Sequence, residues 1–382
     1  MARGQDMGRL AAPKSRSNSW APGDGDTSWS ALTQRGSPDI VLADFFAGCG
    51  GTARGFADAG IVPALAVEWD PDAAESYRNN FPATEVLERD IRHVTVEEVR
   101  SALVANDGAI RLFAGCAPCQ PFAGHRNGQS VQAPESNLLL EFLRFVDEFL
   151  PELVFVENVP GMQRSSDALP EFVKKIQPFG YHCSSSIVCS ADYGVPQTRK
   201  RFVLVASRLG KIELPSPTHG DGTPLQHLTV RDAIRDLPPV DAGCEHPELP
   251  DHRSMRLSPR NLLRIRETPE GGDRRDWPER LWPECHRGQG INHTDAYGRL
   301  NWDLPAPTLT TRCISYSNGR YGHPEQDRAL TVREAARLQT FPDRFEFAGG
   351  LTSQAKQIGN AVPVELARNV GRSLVDHVMI HA

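Results

Sequence analysis

The feature that most constrains this chain is a rhythm that begins at Pro38. Short apolar runs recur with helical stretches between them: Ile40-Val41-Leu42-Ala43, Pro63-Ala64-Leu65-Ala66-Val67, Arg111-Leu112-Phe113-Ala114 and Leu153-Val154-Phe155-Val156. One such stretch is Asn137 to Leu150, where Leu139, Phe142, Leu143, Val146 and Leu150 fall on a single helical face. Short buried strands that alternate with helices predict a parallel, doubly wound α/β sheet of Rossmann type. Two later runs, Ser186-Ile187-Val188-Cys189 and Arg201 to Ala206, are joined by residues without helical patterning. No crossover helix is available to make them parallel, so they predict an antiparallel pair and an antiparallel last strand.

Between about Pro215 and Pro307 the rhythm fades into sequence rich in Pro, Arg, Trp and Gly, which predicts a smaller, irregular second domain. Order resumes at Thr331-Val332-Arg333-Glu334, a capping-box spacing that opens a helix through Gln339, ended by Phe341-Pro342. An apolar helix follows from Val364 to Val378. Residues 1–37 are rich in Gly, Ser, Pro and Arg without apolar periodicity, as expected of a disordered tail. No run approaches the ~20 apolar residues of a membrane span, and no signal-peptide pattern opens the sequence. The eight cysteines are scattered and form no disulfide framework. A cytoplasmic protein without a membrane partner is the expectation.

The formal net charge of −6 argues against a polyanionic partner until its distribution is read. From Asp251 to Arg320 stand twelve arginines, no lysine and nine acids. That local surplus suits a nucleic-acid surface and a mixed solvated surface equally well.

Chemistry-bearing blocks stand where the strands end. Asp44-Phe45-Phe46-Ala47-Gly48-Cys49-Gly50-Gly51 follows the first strand and opens a helix over Thr52 to Ala59. Its glycines let backbone N–H groups approach a ligand, and nicotinamide, flavin and S-adenosylmethionine all suit such a turn, as does a plain tight turn. Glu68-Trp69-Asp70 closes the second strand, where a carboxylate can accept from ribose hydroxyls and an indole can flank an adenine. Asp90-Ile91 can hold an adenine amino group. Gly115-Cys116-Ala117-Pro118-Cys119-Gln120-Pro121-Phe122 puts a thiol at the carboxyl end of a parallel strand, facing the cleft where such sheets bind ligands. Cys116 and Cys119 also have redox or metal spacing, but no second Cys pair or nearby His pair completes a metal site, so no metal is expected. Glu157-Asn158-Val159-Pro160-Gly161 brings a carboxyl to the same rim; kept protonated by burial, it can donate to a ring nitrogen. In Gln197-Thr198-Arg199-Lys200-Arg201 the alternating arginines point to one face, suited to a base carbonyl or a phosphate. Gly359-Asn360-Ala361-Val362-Pro363 taken alone is ordinary structural punctuation before a helix.

In order, the blocks DFFAGCGG, EWD, DI, APCQPF, ENVPG, QTRKR, TVREAARLQTFP and GNAVP resemble the DNA cytosine-5 methyltransferase family over about residues 39–215 and 305–378. The resemblance implies an S-adenosylmethionine-dependent enzyme acting on double-stranded DNA. It implies a catalytic domain over 38–215, a target-recognition domain over 216–306, and a return segment over 307–382 that completes the first domain. It makes Cys119 the nucleophile that attacks cytosine C6, with Glu157 at N3, Arg201 at the base carbonyl, and Arg199 orienting Glu157 or a phosphate. Phe46, Gly48, Gly50 and Gly51 would line the methionine side of the cofactor, and Glu68 and Trp69 its ribose and adenine. Asp90 and Ile91 would hold the adenine edge, with Pro118, Leu138, Asn360 and Ala361 completing the pocket. The target base must flip out of the duplex, and Gly124 to Ser136 would be the lid that closes behind it. Ala123 stands where family members usually carry serine, which predicts tuning of DNA contact without inactivation. The family also implies a monomer at the nucleoid and a companion restriction endonuclease. Three alternatives compete. A tRNA-modifying relative carries a Cys-Phe-Thr tripeptide that this chain lacks, a catalytically silent DNA-binding homologue would lack Cys119, and a nicotinamide oxidoreductase leaves Cys119 and Glu157 without purpose.

Overall fold

The computed structural model describes residues 38–118, 138–160, 168–284 and 296–382. Its strands are β1 (Ile40–Phe45), β2 (Val62–Glu68), β3 (Glu85–Glu88), β4 (Ile110–Gly115), β5 (Leu153–Asn158), β6 (His182–Cys189) and β7 (Lys200–Ser207). They form one sheet in the order β3-β2-β1-β4-β5-β7-β6. β1 to β5 are parallel, and β7 lies antiparallel between β5 and β6. The short connection from β6 to β7 carries no helix over the sheet, so β7 must run backward, as the sequence predicts.

The helices are α1 (Gly51–Asp58), α2 (Pro71–Asn80), α3 (Val96–Leu103), α4 (Leu138–Phe149), α5 (Ala168–Ile176), α6 (Val230–Ile234), α7 (Pro259–Arg266), α8 (Val332–Leu338), α9 (Leu351–Asn360) and α10 (Val364–His381). α4 buries Leu139, Phe142, Leu143 and Val146 as its spacing requires, and Leu150 just beyond takes φ 44, which ends the helix. The Thr331 and Glu334 capping box forms as expected and starts α8. α10 runs on to His381, past the expected end at Val378.

Alternate strand residues feed two apolar layers. Ile40, Leu42, Leu112, Ala114 and Phe155 face one layer, shared with α1, α8 and α10, while Ala43, Phe45, Phe113, Val154 and Val156 face the other with α3, α4 and α5. The return segment is packed backbone to backbone on the start of the fold: a Cβ on Gly55 would stand 2.3 Å from the Val364 carbonyl, and one on Gly371 would stand 2.8 Å from Ala59 Cβ. A separate small core joins Ile265, Trp277 and Leu281 to Tyr316 and Ala329. At its junction with α8, the buried Arg328 guanidinium binds both Glu334 carboxylate oxygens at 2.7 Å and also donates to the Val240 carbonyl at 2.8 Å.

Candidate active site

The turn after β1 is set by backbone needs that few residues meet. Phe46, Gly48 and Gly50 all have positive φ, at 60°, 56° and 98°, a region that costs a side-chain-bearing residue energy and suits glycine. A Cβ on Gly51 would stand 2.6 Å from the Val362 carbonyl, so the return segment seats directly on the first turn of α1. Around Gly48 nothing lies within 4 Å of where a Cβ would stand, so the turn leaves space there. Glu68 clamps it from β2: its carboxylate accepts from Gly48 N at 2.8 Å, Trp69 N at 3.0 Å and Asp70 N at 2.8 Å. Burial raises the Glu68 pKa, while these backbone donors oppose the rise.

Beneath the turn lies a group to which the sequence reading gave no role. Asp44, next to last in β1, is 1% exposed, and among the described residues neither carboxylate oxygen has a partner; the buried Tyr77 hydroxyl has none there either. Burial first, and the charge of Glu68 second, push the Asp44 pKa well above the usual carboxylate range. A buried acid without a donor is suited to meet a cation.

The other cofactor candidates stand at or near the ends of strands and helices. Trp69 is 65% exposed, with one ring face 5.8 Å from Lys356 Nζ, and Lys356 also pairs with Asp70 at 2.6 Å. Asp90 caps a short turn and binds Arg92, whose hydrogen bonds hold its pKa at about 2; Ile91 beside it is buried. Leu138 opens α4, half-buried against the second layer, and Pro118 is exposed at the end of a described stretch. Asn360 is exposed at the end of α9, and Ala361 caps that helix.

At the end of β5, Glu157 is 7% exposed and pairs with Arg201 Nε at 2.9 Å. Burial raises its pKa, and the charges of Arg201 and Arg199 hold the rise back. The next residue, Asn158, donates from Nδ2 to the Ala117 carbonyl at 2.9 Å, which ties β5 to the block after β4. Cys116 lies 3.8 Å from Thr52 Oγ1, and burial and then the Glu157 charge push its thiol pKa well up. Cys119, Ala123 and the expected lid, Gly124 to Ser136, lie outside the described residues.

Arg199 corrects part of its expectation. It is 1% exposed and donates from its two terminal nitrogens to the Leu309 carbonyl at 2.8 Å and the Gly359 carbonyl at 3.0 Å, so burial keeps it from a phosphate at the surface. The reason is enclosure: Gln197 bridges to Ala306, which packs the arginine against the return segment. Burial, then the charge of Arg201, bring its pKa down to about 9.

The arginines between Asp251 and Arg320 now separate. Arg264 is buried with its guanidinium 5.3 Å from the Trp277 ring and 5.2 Å from the Tyr297 ring, and Arg266 pairs with Asp327 at 3.2 Å. Arg320 is spent on Gly271, Gly272 and Asp273. Arg256, Arg260 and Arg312 are exposed. The sequence reading also missed Gln197, Gln339 and Lys356; glutamines inside helix and strand blocks carry no signal of their own, although their fixed place in the motifs was visible.

Comparison with known proteins gives a consistent picture. The family model described as C-5 cytosine-specific DNA methylase matches residues 40–376. "Type II methylase M.HgiDII" of Herpetosiphon aurantiacus is 40% identical, over 87% of this chain and 94% of its own length. "Type II methyltransferase M1.HphI" of Haemophilus parahaemolyticus is 33% identical, over 88% of this chain and 87% of its own. A solved chain encoded within an E. coli prophage superposes with a TM-score of 0.70 at 23% identity, covering 89% of this chain and 99% of that one, which is a likeness of fold.

Proposed function

The chain belongs to the C-5 cytosine-specific DNA methylases, S-adenosylmethionine-dependent enzymes that methylate carbon 5 of cytosine in DNA, and from that premise we propose that it works by covalent attack of Cys119 on a flipped cytosine held by Glu157 and Arg201. The observation that carries this is the tie between Asn158 and the Ala117 carbonyl: it sets the buried Glu157–Arg201 pair beside the segment that leads, two residues on, into Cys119.

Cytosine C5 is a weak nucleophile in the aromatic ring. The Cys119 thiolate forms a bond to C6, and the displaced electron pair moves onto the ring toward N3. Glu157, whose pKa burial raises while the charges of Arg201 and Arg199 hold the rise back, passes a proton to N3. Arg201 donates to the base carbonyl while its Nε stays on Glu157. C5 is then electron-rich. S-adenosylmethionine, when bound, supplies an electrophilic methyl group at that position. Water takes the C5 proton, the electron pair left behind forms the C5–C6 double bond as the C6–S bond breaks and the thiolate leaves, and N3 returns its proton to Glu157. None of these groups can reach a stacked base, so the nucleotide must leave the duplex.

The residues present fit the cofactor. Asp44 offers an unpartnered buried carboxyl to its cationic end, and the space at Gly48 admits its methionine part. Phe46, Gly50 and Gly51 shape that turn, while Glu68, Trp69, Asp90 and Ile91 receive the adenosine. Pro118, Leu138, Asn360 and Ala361 close the pocket. Arg199 acts on Glu157 through its charge alone.

A duplex carrying 5-fluorocytosine at the methylated site tests the route. The fluorine cannot leave as a proton does, so the adduct on Cys119 should persist through denaturing electrophoresis. Cys119→Ser should form none and turn over nothing while still binding cofactor. Normal methylation by that variant would refute covalent attack. The Type II names of the relatives support a role beside a restriction endonuclease. Methylation mapped in a methylation-free host, followed by nuclease challenge of that DNA, tests it.

A further inference from the structure

A dense buried polar cluster lies behind the catalytic pocket. Gln197 is fully buried; its Oε1 accepts from Leu309 N at 2.9 Å, and its Nε2 donates to the Leu338 carbonyl at 3.1 Å and to Gln339 Oε1 at 2.9 Å. Gln339, equally buried, donates from Nε2 to the Ile358 carbonyl at 2.7 Å and the Ala361 carbonyl at 3.2 Å. Arg199 completes the set through Leu309 and Gly359. The last carbonyls of a helix lack intrahelical partners. At the end of α9 these three are taken by side chains from the approach to β7 and from the end of α8. The two segments they join touch at the backbone: a Cβ on Gly359 would stand 2.2 Å from the Thr310 carbonyl oxygen. The turn that exposes Thr310, Thr311 and Arg312 and the helix end that carries Asn360 and Ala361 therefore hang on the same three enclosed side chains.

We propose that Gln197, Arg199 and Gln339 are positioning residues that couple cofactor binding to DNA binding, by fixing the Asn360–Ala361 helix end and the Thr310–Arg312 turn to each other. This rests on the reading that Asn360 and Ala361 border the cofactor, and takes the exposed Arg312 as the group by which the turn meets a DNA phosphate. Apart from Arg199 Nε, which has no partner among the described residues, the side-chain polar atoms of this network are bonded, and such a network has few alternative arrangements because a buried bond left unmade is costly. Seating a ligand against one end therefore restricts the other, and the effect is reciprocal.

The test uses the full chain, S-adenosylhomocysteine as a non-reactive cofactor, and a duplex carrying the site mapped by methylation in the host. Duplex affinity is measured with and without saturating S-adenosylhomocysteine, and the reverse. The unmodified protein should show mutual tightening of about 5-fold or more, equal in both directions. Gln339→Met, similar in shape but unable to donate, should bring that factor below about 2-fold while each ligand still binds alone. Arg199→Lys, which reaches one carbonyl in place of two, should fall between and decides the matter should Gln339→Met fail to melt cooperatively. A folded Gln339→Met with the full factor, even with a lowered melting temperature, would show a purely structural role and overturn the proposal. So would an unmodified protein that binds both ligands independently. If the unmodified protein binds either ligand not at all, the functional reading falls and takes this proposal with it.

Discussion

Replacing Glu334 by glutamine should cost this protein several kcal/mol without touching its chemistry. Glu334 is buried at the first turn of α8, binds the Arg328 guanidinium through both oxygens at 2.7 Å, and accepts from Thr331 N at 2.8 Å. Burial alone would raise its pKa; the charge and hydrogen bonds of Arg328 outweigh burial and bring it from 4.5 to about 2. By linkage, a drop of that size is on the order of 3 kcal/mol of stability at neutral pH. Glutamine keeps the shape but leaves the fully buried Arg328 with no carboxylate, and breaking a buried pair from one side typically costs about 3–5 kcal/mol. The two routes agree. The sign also follows: an acid with a lowered native pKa contributes stability above pH 4.5, and loses it as pH falls through about 2. The gap between Glu334→Gln and the unmodified protein, read from urea midpoints, should therefore shrink to about 2 kcal/mol at pH 3.5. Near neutrality it should be at least 3. His323, whose pKa burial lowers to about 4, stands 3.8 Å from Glu334; glutamine removes the charge that favours its protonated form, so His323 offsets part of this shrinkage in acid. A cost below about 1 kcal/mol at pH 7, or one that does not change with pH, would refute the reasoning.

Four further outcomes follow from the site. Glu157→Gln should slow single-turnover methylation about 100-fold or more with little change in cofactor affinity, and an unchanged rate would remove Glu157 from the chemistry. In the unmodified protein the rate should fall as pH rises past the raised Glu157 pKa, since the protonated form does the work; stopped-flow rates across a pH series check this. Gly51→Ala forces a methyl to within 2.6 Å of the Val362 carbonyl, so it should lower the urea midpoint and weaken S-adenosylhomocysteine binding together in calorimetry. Trp69→Ala, at a residue already 65% exposed, should instead weaken cofactor binding about 10-fold and leave the urea midpoint unchanged.

The strands, the antiparallel end of the sheet and the capping box of α8 were legible in the sequence because each rests on local pattern: apolar runs, a missing crossover helix, and a Thr three residues ahead of a Glu. Glu157 was legible as a rim carboxyl for the same reason, since a strand's end fixes where its last side chains go. What escaped depends on contacts between distant segments. Arg199 reads, from its alternation with Arg201, as facing a base carbonyl or a phosphate, and only the Leu309 and Gly359 carbonyls, brought from more than a hundred positions away, show where its guanidinium is held. Gln197 and Gln339 sit 142 positions apart, and no local pattern predicts that their amides meet. Asp44 stood inside the most recognisable block, yet its isolation is a property of what surrounds it, and a sequence does not print emptiness.

Where the first helix rests on the last has a consequence for how the molecule is made. The thiol of Cys49, in the glycine turn, reaches the Gln357 carbonyl 308 positions later, and Gly51 and Gly55 are roofed by Val362 and Val364. During synthesis the cofactor turn must wait, uncovered, until the segment that roofs it has left the ribosome, and so long a loop closes late and slowly. A chain that still lacks that segment leaves the glycine turn without its roof. The same geometry suggests that the two parts, supplied as separate polypeptides, would have to find each other before either could act.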